Sequence, residues 1–215
     1  MARMSSTEPA SAGFTEDEKE TLLLIAYQSI QSGLDNRRPA DIDVMAYPPR
    51  LSVKRASFVT LQAAGRLRGC IGSLEPRMSL VADVSRNAYA AAFRDVRFPP
   101  LQAGELATLS LQISVLGLPV PLEFDSETSL LAQLRPGFDG LILQERDLRS
   151  TFLPSVWESL PEPERFLGHL KLKAGLAADY WSATVRCWRY TTESFAASVS
   201  VIRTNSRDHR TDMPK

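Results

Sequence analysis

The stretch with the most chemistry in it is Leu67-Arg68-Gly69-Cys70-Ile71-Gly72. Strand alternation puts Leu67, Gly69 and Ile71 on one face and Arg68, Cys70 and Gly72 on the other. A guanidinium two residues from a thiol on one face favours the thiolate and lowers the cysteine pKa. That is the chemistry of a nucleophile or a redox group. Gly69 and Gly72 leave the backbone bare on both sides of the thiol, so a ligand or another segment can come close. The same residues also read as a buried cysteine on a strand, with glycines that serve a bulge or tight packing.

A nucleophile needs a base or a low-pKa environment beside it. Arg68 stabilises negative charge but cannot take a proton. Of the two histidines, His209 lies near the C-terminus, which leaves His169 in Gly168-His169-Leu170-Lys171 as the imaginable imidazole partner of Cys70. Its position at the edge of an apolar helical stripe equally fits a partly exposed structural histidine. Asp95 and Arg97, two apart, suit either a polar ligand or a bidentate bridge that anchors a loop. Asn87 sits up to two helical turns earlier and can face a cleft or pin a backbone group, and Glu75 is an acid/base candidate by proximity to the hexapeptide. Zinc needs about four N, S or O ligands at characteristic spacing, which the scattered Cys, His and carboxylates do not compose. No GxGxxG or GxxxxGK[ST] run supports a nucleotide loop. No cofactor is indicated.

The elements that must position these groups are legible in outline. Thr15 with Glu18 forms a capping box, followed by an apolar stripe at Leu22, Ile25, Ala26 and Ile30 that predicts a helix ending near Gly33. Residues 36–50, with Pro39, Pro48 and Pro49, read as an extended loop. Residues 56–61 are β-prone and turn through 62–65 into the hexapeptide, which predicts a hairpin. Ser79 stands before a helix with Leu80, Val81, Val84, Ala88, Ala91 and Ala92 at helical spacing, broken by Pro99 and Pro100. Leu109, Leu111, Ile113 and Val115 alternate with polar residues, the clearest strand in the chain. A short helix over 129–134, a hairpin over 140–153, a helix over 163–174 with Phe166, Leu167 and Leu170 inward, and a last strand at 185–190 complete the pattern. Helices and strands alternate without regular βαβ units, so the class is α+β with a largely antiparallel sheet flanked by helices. Residues 1–13 and 196–215 read as disordered tails around one domain at 14–195. Trp157, Trp181 and Trp188 read as packing residues rather than a stacking platform for bases.

The totals exclude some classes. Lys+Arg and Asp+Glu are each 25 among 215 residues, so no global basic excess argues for nucleic acid. Two cysteines without a CxxC pair, and no signal-like N-terminus, point to a reducing cytoplasmic setting. No apolar run approaches the ~18 residues of a membrane span.

These motifs together resemble the AMMECR1 family. The residues that carry the resemblance are the hexapeptide, Asn87-Ala88 with Ala90-Ala91-Ala92-Phe93, and Arg97-Phe98-Pro99-Pro100-Leu101. Further along they are Ile113-Ser114-Val115-Leu116, Asp139-Gly140-Leu141-Ile142, Phe152-Leu153-Pro154 with Val156-Trp157, Lys173-Ala174-Gly175-Leu176 and Tyr180-Trp181. The likeness runs from about Phe14 to Phe195, with Val96 where the family often has proline and Ser73 where threonine is common. It implies two unequal subdomains with a cleft between them and the hexapeptide beside that cleft. It also implies company: a Memo-like protein, itself similar to extradiol dioxygenases, and a radical-SAM protein, the partners of an AmmeMemoRadiSam-type modification system. The expectation is a cleft lined by Arg68, Gly69, Cys70, Gly72, Asn87, Asp95 and Arg97 that binds a small polar ligand or a partner segment. The rivals are an enzyme using Cys70, with His169 or Asp95 handling protons, and a nucleic-acid-associated regulatory factor.

Overall fold

The computed structural model describes residues 13–211. The lead-in expected at the N-terminus falls, up to residue 12, outside the described residues. Helix α1 (Glu16–Asn36) opens with the expected capping box, Thr15 Oγ1 accepting from the Glu18 N–H while Glu18 accepts from the Thr15 N–H. It does not stop at Gly33. That residue is buried inside the helix against the Phe93 ring, and the helix ends at Arg37 in the left-handed region. After the short α2 (Pro49–Ser52) come β1 (Ser57–Ala63) and β2 (Arg66–Gly72), joined by Ala64-Gly65 with φ positive at both, as a two-residue hairpin turn requires. Next come α3 (Leu80–Phe93), β3 (Leu109–Leu116), β4 (Val120–Pro121), α4 (Glu127–Leu131), β5 (Gly140–Glu145) and β6 (Leu148–Phe152). The chain finishes with α5 (Pro163–Lys173), β7 (Arg186–Tyr190), β8 (Thr192–Ser198) and α6 (Val199–Thr211).

The class is α+β, and every strand pairing is antiparallel, but the strands form two sheets rather than one. The first runs β2-β1-β3-β8 and the second β4-β7-β5-β6. Alternation decides the first core. Val59, Leu61, Leu111, Ile113 and Val115 point to one face and are buried with Leu22, Ile25 and Ile30 of α1 and Val84, Ala88 and Ala91 of α3. Each such large side chain contributes about 1.5–3 kcal/mol on burial. The other face of this sheet carries Thr60, Gln112 and Ser114, only partly covered. The second core joins Leu141, Leu143 and Cys187 of its sheet to Phe166, Leu167 and Leu170 of α5, with the Trp157 and Phe166 rings stacked at 3.7 Å. A smaller cluster, Ala56 and Leu116 with Ile142 and Tyr190, packs the two sheets together beside Phe58, Leu153 and Trp188.

Two expectations are overturned at the C-terminus. The strand at 186–190 is not the last, because β8 pairs with β3 and completes the first sheet. Residues 196–211 are not a tail. They finish β8 and form α6, whose Val199 and Ile202, three residues apart on one face, are buried in the first core.

Candidate functional site

The hexapeptide forms the edge strand β2, and the pairing alters which of its side chains share a face. Cys70 pairs with Thr60 and Gly69 with Leu61, but Gln62 pairs with Leu67, so the register shifts and Arg68 is the extra residue of a bulge. Simple alternation from Arg68 to Cys70 is therefore broken at this residue. Its guanidinium makes a two-point bridge to Glu105, Nε to Oε1 at 2.8 Å and Nη2 to Oε2 at 3.1 Å, and the side chain is largely buried. The hydrogen bonds from Arg68 and from the Gln102 N–H hold the Glu105 carboxyl below its ordinary range.

Gly69 faces α3. A Cβ there would fall well inside contact distance of the Ala91 carbonyl oxygen and 3.1 Å from its carbonyl carbon, so only glycine lets the helix backbone lie on this strand. At Gly72 the Phe58 ring from the neighbouring strand fills the space a side chain would need. Both glycines are used for close packing.

Cys70 turns its backbone outward, and the loop after α3 satisfies it. Asp95 Oδ2 accepts from the Cys70 N–H at 2.9 Å, and Arg97 Nη2 donates to the Cys70 carbonyl at 3.2 Å. Arg97 and Asp95 are joined by two further bonds, Nη2 to Oδ2 at 2.7 Å and Nε to Oδ1 at 2.9 Å. The pair acts as a substitute strand that closes one unit of a sheet edge, where bare N–H and C=O groups would otherwise invite pairing with another chain. Arg97's hydrogen bonds, then the amide N–H groups of Cys70 and Arg97, keep the buried Asp95 carboxyl well below the usual carboxylate range. The thiol meets the Thr60 hydroxyl at 3.3 Å on the partly covered face. His169 is exposed on α5, which packs on the second sheet, and makes no hydrogen bond to Cys70 among the described residues. Cys187 is buried in the second core, and burial pushes its thiol up to about 12.

A pocket of about 710 Å³ opens beside α3. Its walls are the helix stripe Asp83, Asn87, Ala90 and Arg94, flanked by Arg86, with the end of β2 and the loop from Ser73 to Met78, and Arg149 reaching in from β6 of the second sheet. Of the residues expected to line a cleft, Gly72 and Asn87 border it, while Arg68, Gly69, Cys70, Asp95 and Arg97 build the strand edge instead. Its floor is a dense polar network. The buried Asp83 carboxylate accepts from the Ser57 N–H at 2.8 Å, the Ser57 hydroxyl at 2.7 Å, the Ser73 hydroxyl at 2.7 Å and the Asn87 amide at 2.9 Å. Asn87 also donates to the Ser57 carbonyl at 3.0 Å. Burial pushes the Asp83 carboxyl above its ordinary value, with the Ser73 and Ser57 hydroxyls opposing it. This network fixes β1, the end of β2 and α3 in one geometry.

Above the floor stand four guanidiniums from three elements, Arg77, Arg86, Arg94 and Arg149. Glu75 holds Arg77 (Oε2 to Nη2 at 2.9 Å) and Arg149 (Oε1 to Nη1 at 3.1 Å). Arg94 lies over the Tyr89 ring at 5.3 Å, and Arg86 acts on Asp83 at longer range; neither is in a salt bridge among the described residues. Sequence reasoning missed Ser57, Ser73, Asp83 and the four arginines as site residues. The stripe 83-87-90-94, spaced at helical intervals, was the available signal. No group of three or more His, Cys, Asp or Glu able to hold a metal ion occurs among the described residues, and no helix there is long and apolar enough to cross a membrane.

Comparison with known proteins adds the lineage. The family model described as AMMECR1 matches residues 23–195. A protein of Methanothermobacter thermautotrophicus is 35% identical over 194 residues, covering 86% of this chain and 96% of its own length. Protein MJ0810 of Methanocaldococcus jannaschii is 35% identical over 162 residues, covering 72% of this chain and 79% of its own. Among solved structures, the uncharacterized protein PH0010 from Pyrococcus horikoshii is similar with a TM-score of 0.74 at 31% identity, covering 82% of this chain and 90% of that one. The chain belongs to the AMMECR1 family.

Proposed function

We propose that this chain is a binding component whose pocket between α3, the 73–78 loop and β6 takes a small anionic ligand. In this reading the pocket is the cleft that the family resemblance implies, and the chain serves in the cytoplasm as the accessory part of a modification system with Memo-like and radical-SAM partners. The observation that carries it is the gathering of four guanidiniums around one pocket against two carboxylates, Glu75 and Asp83, one of which is already fully engaged in the floor. A concave site with an excess of one sign of charge concentrates counter-ions of the other. Planar guanidiniums suit carboxylate and phosphate groups in particular, because each can offer two parallel N–H bonds. The rigid floor supports the same reading, since a site held by packing and hydrogen bonds loses little entropy when a ligand arrives.

The test is a thermal-stability titration with inorganic pyrophosphate and, separately, citrate, which distinguishes phosphate from carboxylate chemistry. A ligand at 100 times its Kd adds about 2.7 kcal/mol. Stabilisation that disappears in the Arg86→Gln, Arg94→Gln double variant supports the reading, and its absence in the wild type overturns it. Co-purification from the native host tests the partners; recovery without a Memo-like or radical-SAM protein counts against that half.

A further inference from the structure

The 73–78 loop is built as a strap. At one end the Ser73 N–H bonds the Ser57 carbonyl at 2.9 Å and its hydroxyl bonds Asp83. At the other, Ser79 bridges to Lys54 and the Leu80 N–H bonds the Val53 carbonyl at 2.9 Å. Between these anchors Leu74, Glu75, Pro76 and Arg77 are exposed. The tip is tightened by the Arg77 N–H donating to the Glu75 carbonyl at 2.9 Å. The Glu75 carboxylate at that tip stands between an arginine of its own loop and an arginine of the second sheet, at the rim of the arginine-lined pocket. All three partners are well exposed, with side-chain exposures of 46% for Glu75, 80% for Arg77 and 41% for Arg149. Exposed ion pairs of this kind hold weakly and are easily exchanged.

We infer that Glu75 is an internal surrogate for the ligand anion: a bound phosphate or carboxylate group replaces it between Arg77 and Arg149, and the strap tip swings into solvent. This rests on the anion-pocket reading and adds its regulation. The free protein bridges its two outer guanidiniums with its own carboxylate, which offsets one of their two charges, and the ligand becomes the bridge between the α3 side and β6. No bond is made or broken other than hydrogen bonds, and the net exchange is one anion for another on the same two donors. The arrangement also sets selectivity. A monoanion offers no more charge than Glu75 does, whereas a ligand with two or more negative charges can displace Glu75 and still reach Arg86 or Arg94.

The experiment is calorimetric titration of inorganic pyrophosphate into wild type, Glu75→Gln, Arg149→Gln and the Arg86→Gln, Arg94→Gln double variant, with far-UV circular dichroism to verify each fold. These positions are on the surface, so each variant is expected to fold. The expected result is binding roughly 2- to 30-fold tighter in Glu75→Gln, the range two exposed ion pairs correspond to, and weaker in Arg149→Gln and in the double variant. Equal or weaker binding in Glu75→Gln, with wild-type binding intact, overturns the surrogate and leaves the pocket standing. No binding in wild type, or binding that survives the double variant, overturns the pocket itself.

Discussion

Gly69→Ala separates a packing role for the hexapeptide from a purely chemical one. The added methyl group would lie on the order of 1 Å inside the distance at which carbon and oxygen attract, against the Ala91 carbonyl of α3. The carbonyl belongs to the last turn of α3 and is held by the helical backbone, so either β2 bends or α3 lifts. Lifting α3 by even 0.5–1 Å forfeits about a quarter to a half of each dispersion contact beneath it. The residues affected include Val84, Ala88, Ala91 and Ala92, all at 2% exposure or less. Overpacking of this kind costs about 1–3 kcal/mol and more where backbone must move, so a loss of about 3 kcal/mol is expected. For a chain of this size that lowers Tm by about 6–12 °C. Urea denaturation followed by circular dichroism measures it, with Gly104→Ala as the control, since a Cβ there meets nothing within 4 Å. A Gly69→Ala protein within about 0.5 kcal/mol of wild type, the range of ordinary surface changes, would refute the packing role.

Two further outcomes follow from the same geometry. Asp95→Ala removes the acceptor of the Cys70 N–H and of Arg97, at a cost of about 1.5–3 kcal/mol for hydrogen bonds to a charged group. Because the folded Asp95 carboxyl is depressed, its contribution is fully present above the ordinary carboxylate pKa and is lost as pH falls through the lower folded value. The gap between wild type and Asp95→Ala measured by urea denaturation therefore narrows only in strong acid, and a gap that closes near neutral pH contradicts the bridge. Cys70→Ser, outside the pocket and facing Thr60, is expected to bind pyrophosphate within about twofold of wild type by calorimetry; a tenfold loss, equivalent to about 1.4 kcal/mol, would place the thiol in the site.

Particular residues explain what could be read from the chain alone. Leu109 to Val115 alternate so regularly that strand, face and core follow from period alone, and Thr15 with Glu18 marks a helix start with its own chemistry. The hexapeptide reads as a strand for the same reason. Its bulge at Arg68 does not, because a bulge exists only relative to the pairing partner, and that displacement is what sends the guanidinium to Glu105. The segment after Phe195 looks like a tail because its apolar residues are sparse. Val199 and Ile202 become core only once β8 has docked on β3 and brought them to the first core. The arginine pocket is the least legible part. Its charges come from positions 77, 86, 94 and 149, and nothing in linear spacing brings β6 beside α3.

The most direct measurement of the anion pocket is the thermal stability of wild type and of the Arg86→Gln, Arg94→Gln variant across rising pyrophosphate concentration at fixed ionic strength. The expected result is a wild-type Tm that climbs with the logarithm of concentration once the site fills, as binding to the native state alone requires, and a variant Tm that stays flat. A flat wild-type response, or equal responses in both proteins, contradicts the pocket as an anion site.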